Sequence, residues 1–159
     1  MVHRIISGGQ TGVDRAALDF AQQFGIECGG WVPKGRMAED GVISARYPNL
    51  VETESEDPNI RTEYNVRDSD ATILITRGAP TGGSGFTFKV AMRLGKPVFH
   101  VDLIRESIDQ VVPQVCRWLQ DLHPAVLNVA GSRASEDHDI NNLTKVLLEK
   151  AILPGNRNR

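Results

Sequence analysis

The chain has 159 residues, 40% hydrophobic and 24% charged, which is one globular domain's worth and excludes a disordered chain or a fibre. Eighteen Lys and Arg against 20 Asp and Glu leave a formal charge of −2, which argues against a protein that coats nucleic acid, and 6% aromatics argue against a base-stacking platform. No apolar run reaches the length of a membrane span and Met1–Gly9 holds no signal core. Cys28 and Cys116 stand in no metal or redox spacing, so the expectation is two free thiols in a reducing cytoplasm.

Val2–Ile6 is short, apolar and β-branched and runs into Ser7-Gly8-Gly9, which predicts a buried strand. Ala17, Leu18, Ala21 and Phe24 fall at helical spacing and predict a helix over Asp14–Phe24, stopped by Gly25. Ile26–Val32 reads as a second strand, weakened by Gly29-Gly30. Pro33–Glu56 is irregular and long for a compact domain, so it is either functional or hides a short element. Ile60–Arg67 reads as a short helix and Ala71–Thr76 as a strand. Arg77–Gly85 is a second glycine-rich loop, followed by a helix over Phe86–Leu94 that Gly95 and Pro97 end. Val98–Val101 is a short strand. Ile108, Val111, Val112, Val115, Trp118, Leu119 and Leu122 make one apolar helix face, with Pro113 either in the first turn or at a kink. Ala125–Ala130 reads as a strand ending in Gly131-Ser132-Arg133. Ile140, Leu143, Val146, Leu147 and Ala151 mark a last helix, and Pro154–Arg159 reads as a frayed tail. Buried-type strands separated by helices predict a single α/β domain over 1–153, a doubly wound parallel sheet of about five strands.

In such a sheet ligands bind beyond the carboxyl ends of the strands. Ser7–Asp14, Pro33–Gly41, Arg77–Gly85 and Gly131–Glu136 all leave strand ends and should crowd one edge. Gly8, Gly9 and Gly12 in the first loop, and Gly82, Gly83 and Gly85 in the third, let backbone N–H groups approach an anion with no Cβ in the way. A helix that starts there adds unpaired N–H groups and the positive end of its dipole. Neither loop matches the dinucleotide or Walker pattern, and a tight turn alone would explain one of them; two at one edge point to a site. Gln10, Thr11, Ser84, Ser132 and Arg133 are candidate donors within these loops, with Arg36 closing from the long one. Asp14 either caps its helix or reaches a ligand hydroxyl. Glu39-Asp40 are paired carboxylates of a type that holds a metal or a ribose, but adjacent acids in a loop read first as solvated; Asp68 and Asp70 read as caps at the opposite edge, and His100 as structural. His123 and His138 form no ligand cluster. No nucleophile–base–acid arrangement is visible, so no catalytic residue is assigned and the metal question stays open. The expected ligand is a small oxyanion or a nucleotide phosphate held between Gly8–Gly12 and Gly82–Gly85.

Ser7-Gly8-Gly9-Gln10-Thr11-Gly12-Val13-Asp14-Arg15-Ala16-Ala17-Leu18-Asp19 resembles the opening of the molybdenum-carrier family. Pro33-Lys34-Gly35-Arg36, Ala38-Glu39-Asp40-Gly41, Tyr47-Pro48, Arg61-Thr62-Glu63, Asn65-Val66, Asp68-Ser69-Asp70-Ala71-Thr72, Thr81-Gly82-Gly83-Ser84 and Gly95-Lys96-Pro97 extend the likeness over nearly the whole chain. The resemblance implies a circularly permuted, YpsA-like branch of the SLOG superfamily, a Rossmann-like group that binds nucleotides and their derivatives. Val126–Arg133 is similar to the first βα unit of unpermuted relatives such as DNA-processing protein A, and Arg4–Asp14 to their second. The strands at 2–6 and 125–130 should therefore be neighbours and the termini close. The resemblance further implies molybdate as cargo, a nucleotide or nucleotide derivative as the alternative, and a homo-oligomer. One departure is chemical. Phosphoribohydrolases of the superfamily carry Pro-Gly-Gly-x-Gly-Thr-x-x-Glu with a catalytic Glu, and aligning the glycines puts Lys89 at that position. A lysine cannot act as that carboxylate, which argues against this hydrolytic chemistry.

Overall fold

The structure, a computed structural model, describes residues 1–157. One parallel sheet of six strands has the order β5 (Leu50–Glu52), β2 (Glu27–Val32), β1 (Arg4–Ile6), β8 (Val126–Gly131), β6 (Ala71–Thr76), β7 (Val98–Asp102). Ile5, Ile73, Ile75, Leu127 and Val129 are fully buried, because helices cover both sheet faces. In one layer α1 (Val13–Gln23) and α4 (Ile108–Leu122) pack against α5 (Ile140–Arg157). In the other, α2 (Pro58–Arg67) packs against α3 (Gly82–Leu94), with Val66, Val90 and Ala91 between them.

The sheet has one strand more than the sequence predicts. The addition is β5, paired with Gly30–Val32 at the sheet edge; it is three residues long with Val51 and Glu52 exposed, so no apolar run marks it. The rest of the irregular stretch holds a small antiparallel hairpin, β3 (Met37–Ala38) and β4 (Gly41–Val42). Buried Ile43 and Tyr47 anchor it, and the Tyr47 hydroxyl donates to Asp19 Oδ1 at 2.7 Å.

Three helix boundaries differ from expectation. Helix α2 starts at Pro58, because Asp57 caps it by accepting from Asn59 N at 2.9 Å and proline suits the first helical position. Helix α3 starts at Gly82, which turns the second glycine loop into a first helical turn. Helix α5 continues through Pro154 to Arg157 where a frayed tail was expected, and Asn156 Nδ2 there donates to Val2 O at 3.2 Å. Asn158 and Arg159 of that expected tail lie outside the described residues. Pro113 is not in the first turn: it sits in the second turn of α4, after a capping box formed by Ser107 and Gln110, and removes one helical donor.

The Asn156–Val2 contact brings the chain ends together, and β8 pairs with β1 with Leu127 opposite Ile5. From β1 the chain winds outward through β2 and β5, then crosses to β6 and β7 beyond β8. The direction of winding therefore reverses beside β1 and β8, and a crevice opens above their carboxyl ends.

Candidate functional site

The loop after β1 turns on itself. Ser7 Oγ donates to Asp14 O at 2.9 Å and accepts from Gly9 N at 3.3 Å. Gln10 N donates to Asp14 Oδ2 at 3.2 Å, and Thr11 N to Gln10 Oε1 at 3.0 Å. Gly12 has φ 79°, and a Cβ there would lie 2.3 Å from Ser132 O. This contact locks the loop after β1 against the loop after β8, where Val13 N donates to Ser132 O at 3.1 Å. Gly131 is tighter still, since its Cβ would sit 1.9 Å from Ile75 O. Both glycines thus serve strand and loop packing.

The first turn of α3 is different. Thr81 occupies the N-cap position without a side-chain bond. The N–H groups of Gly83 and Ser84 have no acceptor among the described residues. The two residues line a cavity of about 60 Å³ whose walls come from four directions. Gly8, Gln10 and Asp14 line it from the loop after β1 and the start of α1; Arg61, Thr62 and Asn65 from α2; Gly83, Ser84 and Thr87 from α3; Asn128, Ala130, Gly131, Arg133 and Glu136 from β8 and the loop after it.

Two guanidinium groups reach this space. Arg61 Nη1 donates to Gly8 O at 2.7 Å, which pins the side chain across the loop. Burial pushes its pKa down, the Asp14 charge pulls it back up and Arg133 adds repulsion. Arg133 sits 3.4 Å from Glu136 Oε1. Asp14 is only 7% exposed. Burial pushes its pKa up to about 6 from 3.8, against the opposing pull of Arg61, the Gln10 amide, Arg15 and the Gly8 amide. It is not the N-cap of α1, which is Gly12, and it lines the cavity.

The sequence-predicted residues divide cleanly. Gly8, Gln10, Asp14, Gly83, Ser84 and Arg133 line the cavity. Gly9, Thr11, Gly12, Gly82, Gly85 and Ser132 are not among its lining residues. Thr11 Oγ1 donates to Glu39 and accepts from Ala134 N at 3.1 Å, so its hydroxyl is used up in packing loops together. Arg36 is a correction: its guanidinium donates to Ile43 O at 3.3 Å and Ser44 O at 3.1 Å and braces the hairpin instead of closing the cavity. Glu39 is not merely solvated. Ser135 N and Oγ donate to it at 3.1 and 2.6 Å, which fastens the hairpin tip to the loop carrying Arg133. Slight desolvation works against its charge, but the Ser135 and Thr11 hydrogen bonds and Arg133 hold its carboxyl below the usual range.

Sequence reasoning missed Arg61, Thr62, Asn65, Thr87, Asn128 and Glu136. Asn128 carried a signal, a polar side chain in a run of buried strand residues; it donates to Thr72 Oγ1 at 3.2 Å. Asn65 is buried and clamps α2 to β2, accepting from Trp31 N at 2.8 Å and donating to Trp31 O at 3.0 Å. Lys89 is exposed and does not line the cavity. Among the described residues no group of three or more His, Cys, Asp or Glu side chains is placed to hold a metal ion.

Residues 5–152 match the family model of the circularly permutated YpsA SLOG family. The chain belongs to that family. The permutation is visible in the fold, where the C-terminal β8 and its loop stand beside the N-terminal β1 and both contribute cavity walls. The chain is also similar to a crystal structure described as that of a putative molybdenum carrier protein from Syntrophus aciditrophicus SB. Identity is 47% over 95% of each chain, with a TM-score of 0.92. A comparison with curated proteins finds no match. No described helix of this SLOG protein is long and apolar enough to cross a membrane.

Proposed function

We propose that the cavity binds a small oxyanion or a phosphoryl group, and that the protein works as a binding or carrier protein for it. One observation carries this reading: the first turn of α3, with no side-chain cap and with Gly83 and Ser84 N–H groups free, lines the same space as Arg61 and Arg133. Unpaired amides at the positive end of a helix dipole, opposite fixed planar cations, stabilise a compact negative charge. Size agrees. At roughly 10–15 Å³ per water on this kind of measure, the cavity holds a few waters' worth, the scale of one tetrahedral oxyanion. A whole nucleotide would insert only its phosphate.

The name of the Syntrophus relative makes molybdate a candidate cargo for this chain as well. The superfamily supports the second reading, a nucleotide or its derivative. Asp14 and Glu136 favour it specifically, as acceptors beside the cations that could take hydroxyl hydrogens.

Calorimetric titration with molybdate, sulfate, inorganic phosphate, AMP and ADP-ribose tests both. Each arginine contact to an anion contributes about 1.5–3 kcal/mol, so Arg61→Ala and Arg133→Ala should each weaken binding about tenfold or more. Arg36→Ala should leave the affinity unchanged, because that side chain braces the hairpin. Unaltered affinity in both cavity variants, or no binding of any of the five ligands, would refute the assignment.

A further inference from the structure

An anion site built only to attract charge would not contain a buried carboxylate. Asp14 is such a group: it is 7% exposed and lines the same cavity as Arg61, Arg133 and the first turn of α3. Neither arginine neutralises it by an ion pair among the described residues. Arg61 Nη1 donates to Gly8 O, with further N–H groups left for an anion, and Arg133 lies beside Glu136. Arg15, on the same helix, is engaged by Asp40 and Gly9 O. The Gln10 amide donates to Oδ2 and the Gly8 amide also acts on the carboxylate, whose roughly four lone-pair sites still leave acceptor capacity to spare.

Building on the anion reading above, we propose that Asp14 is a specificity-determining residue, which admits oxyanions that carry a proton and rejects those that do not. Hydrogen phosphate and singly ionised phosphate monoesters are the accepted class, while sulfate and molybdate are rejected at neutral and alkaline pH. The chemistry follows from what each partner can donate. An ionised carboxylate is acceptor-only. The hydroxyl of hydrogen phosphate donates to it in a short charge-assisted bond. All four oxygens of sulfate or molybdate are acceptors at neutral pH, so one of them would be pressed against the carboxylate with no proton between. Arg61, Arg133 and the Gly83 and Ser84 amides attract either kind of anion, and Asp14 is what tells them apart.

The charged groups facing Asp14 are Arg15 from α1, Arg61 from α2, and Arg133 and Glu136 from the loop after β8; α3 brings only the uncharged Ser84 and Thr87 and its amides. Because burial raises the Asp14 pKa to about 6, the group is neutral at pH 5 and supplies its own proton there. Selection should then vanish in acid.

The test is calorimetry on the full chain with inorganic phosphate and sulfate at pH 8 and pH 5, and with molybdate at pH 8 only, since molybdate condenses in acid. At pH 8 the native protein should bind phosphate about tenfold or more tightly than sulfate or molybdate. At pH 5 phosphate and sulfate should converge. Asp14→Asn keeps the shape and the Gln10 contact, supplies an amide donor, and should accept all three anions at pH 8. Equal affinity of the native protein for the three at pH 8, or selectivity that persists in Asp14→Asn, would overturn the proposal and leave the anion site standing. No binding of any anion at either pH would overturn both. The native protein's pH comparison decides the matter even without the variant.

Discussion

Replacing Asp14 by asparagine should stabilise the unliganded protein at neutral pH and leave it unaltered in acid. The carboxyl titrates at an ordinary 3.8 in the unfolded chain and at about 6 in the fold, where burial opposes its charge. A group whose folded pKa is raised gives its full stability below the unfolded value and loses it as pH rises through the folded one. At about 1.36 kcal/mol per pH unit, ionising Asp14 inside the cavity costs about 3 kcal/mol by the time both states are ionised. Asparagine cannot ionise, and its side-chain oxygen can still accept from Gln10 N. Urea denaturation in an anion-free buffer, run from about pH 4 to pH 8, reads the difference between variant and native protein. It should be near zero at about pH 4, grow as the pH rises toward 6, and level off above 7. A difference that stays flat over this range, or a variant less stable than the native protein at pH 8, would refute the reasoning.

Asn65→Ala removes both side-chain bonds that hold α2 to the Trp31 backbone and leaves those groups unpaired, so unfolding free energy in urea should fall by about 2–3 kcal/mol. Gly131→Ala should prevent soluble folding, since its Cβ would meet Ile75 O at 1.9 Å, whereas Gly25→Ala, with φ 68° but nothing within 4 Å, should cost only about 1–2 kcal/mol by thermal melting. Because Asn156 touches Val2, a chain that begins at Pro124 and joins the old ends by a short glycine linker should retain native circular dichroism and a cooperative melt. A non-cooperative melt would show that the present order of the units is needed for folding.

The sequence by itself determined the αβ alternation, the parallel sheet, and the edge at which ligands should bind. These follow from local rules. Buried strands such as Ala71–Thr76 are continuous apolar runs, and Gly95 ends its helix wherever the rest of the chain goes. The free amides of Gly83 and Ser84 were decided by the fold, since the sequence starts that helix at Phe86 and Thr81, a capping type of residue, makes no side-chain bond there. Short β5 was decided by tertiary structure, since its exposed Val51 and Glu52 satisfy their backbone only through β2. So was the choice between two arginines of similar local appearance. Arg36 and Arg61 both lie in polar stretches, yet the turn at Ile43 and Ser44 captures Arg36, while the packing of α2 carries Arg61 across Gly8. The same holds for Asp14. Its position in a glycine loop is visible in the sequence, but the burial that raises its pKa comes from β8, α2 and α3, segments between about 45 and 120 residues away along the chain, and distance along the chain carries no information about which of them closes over it.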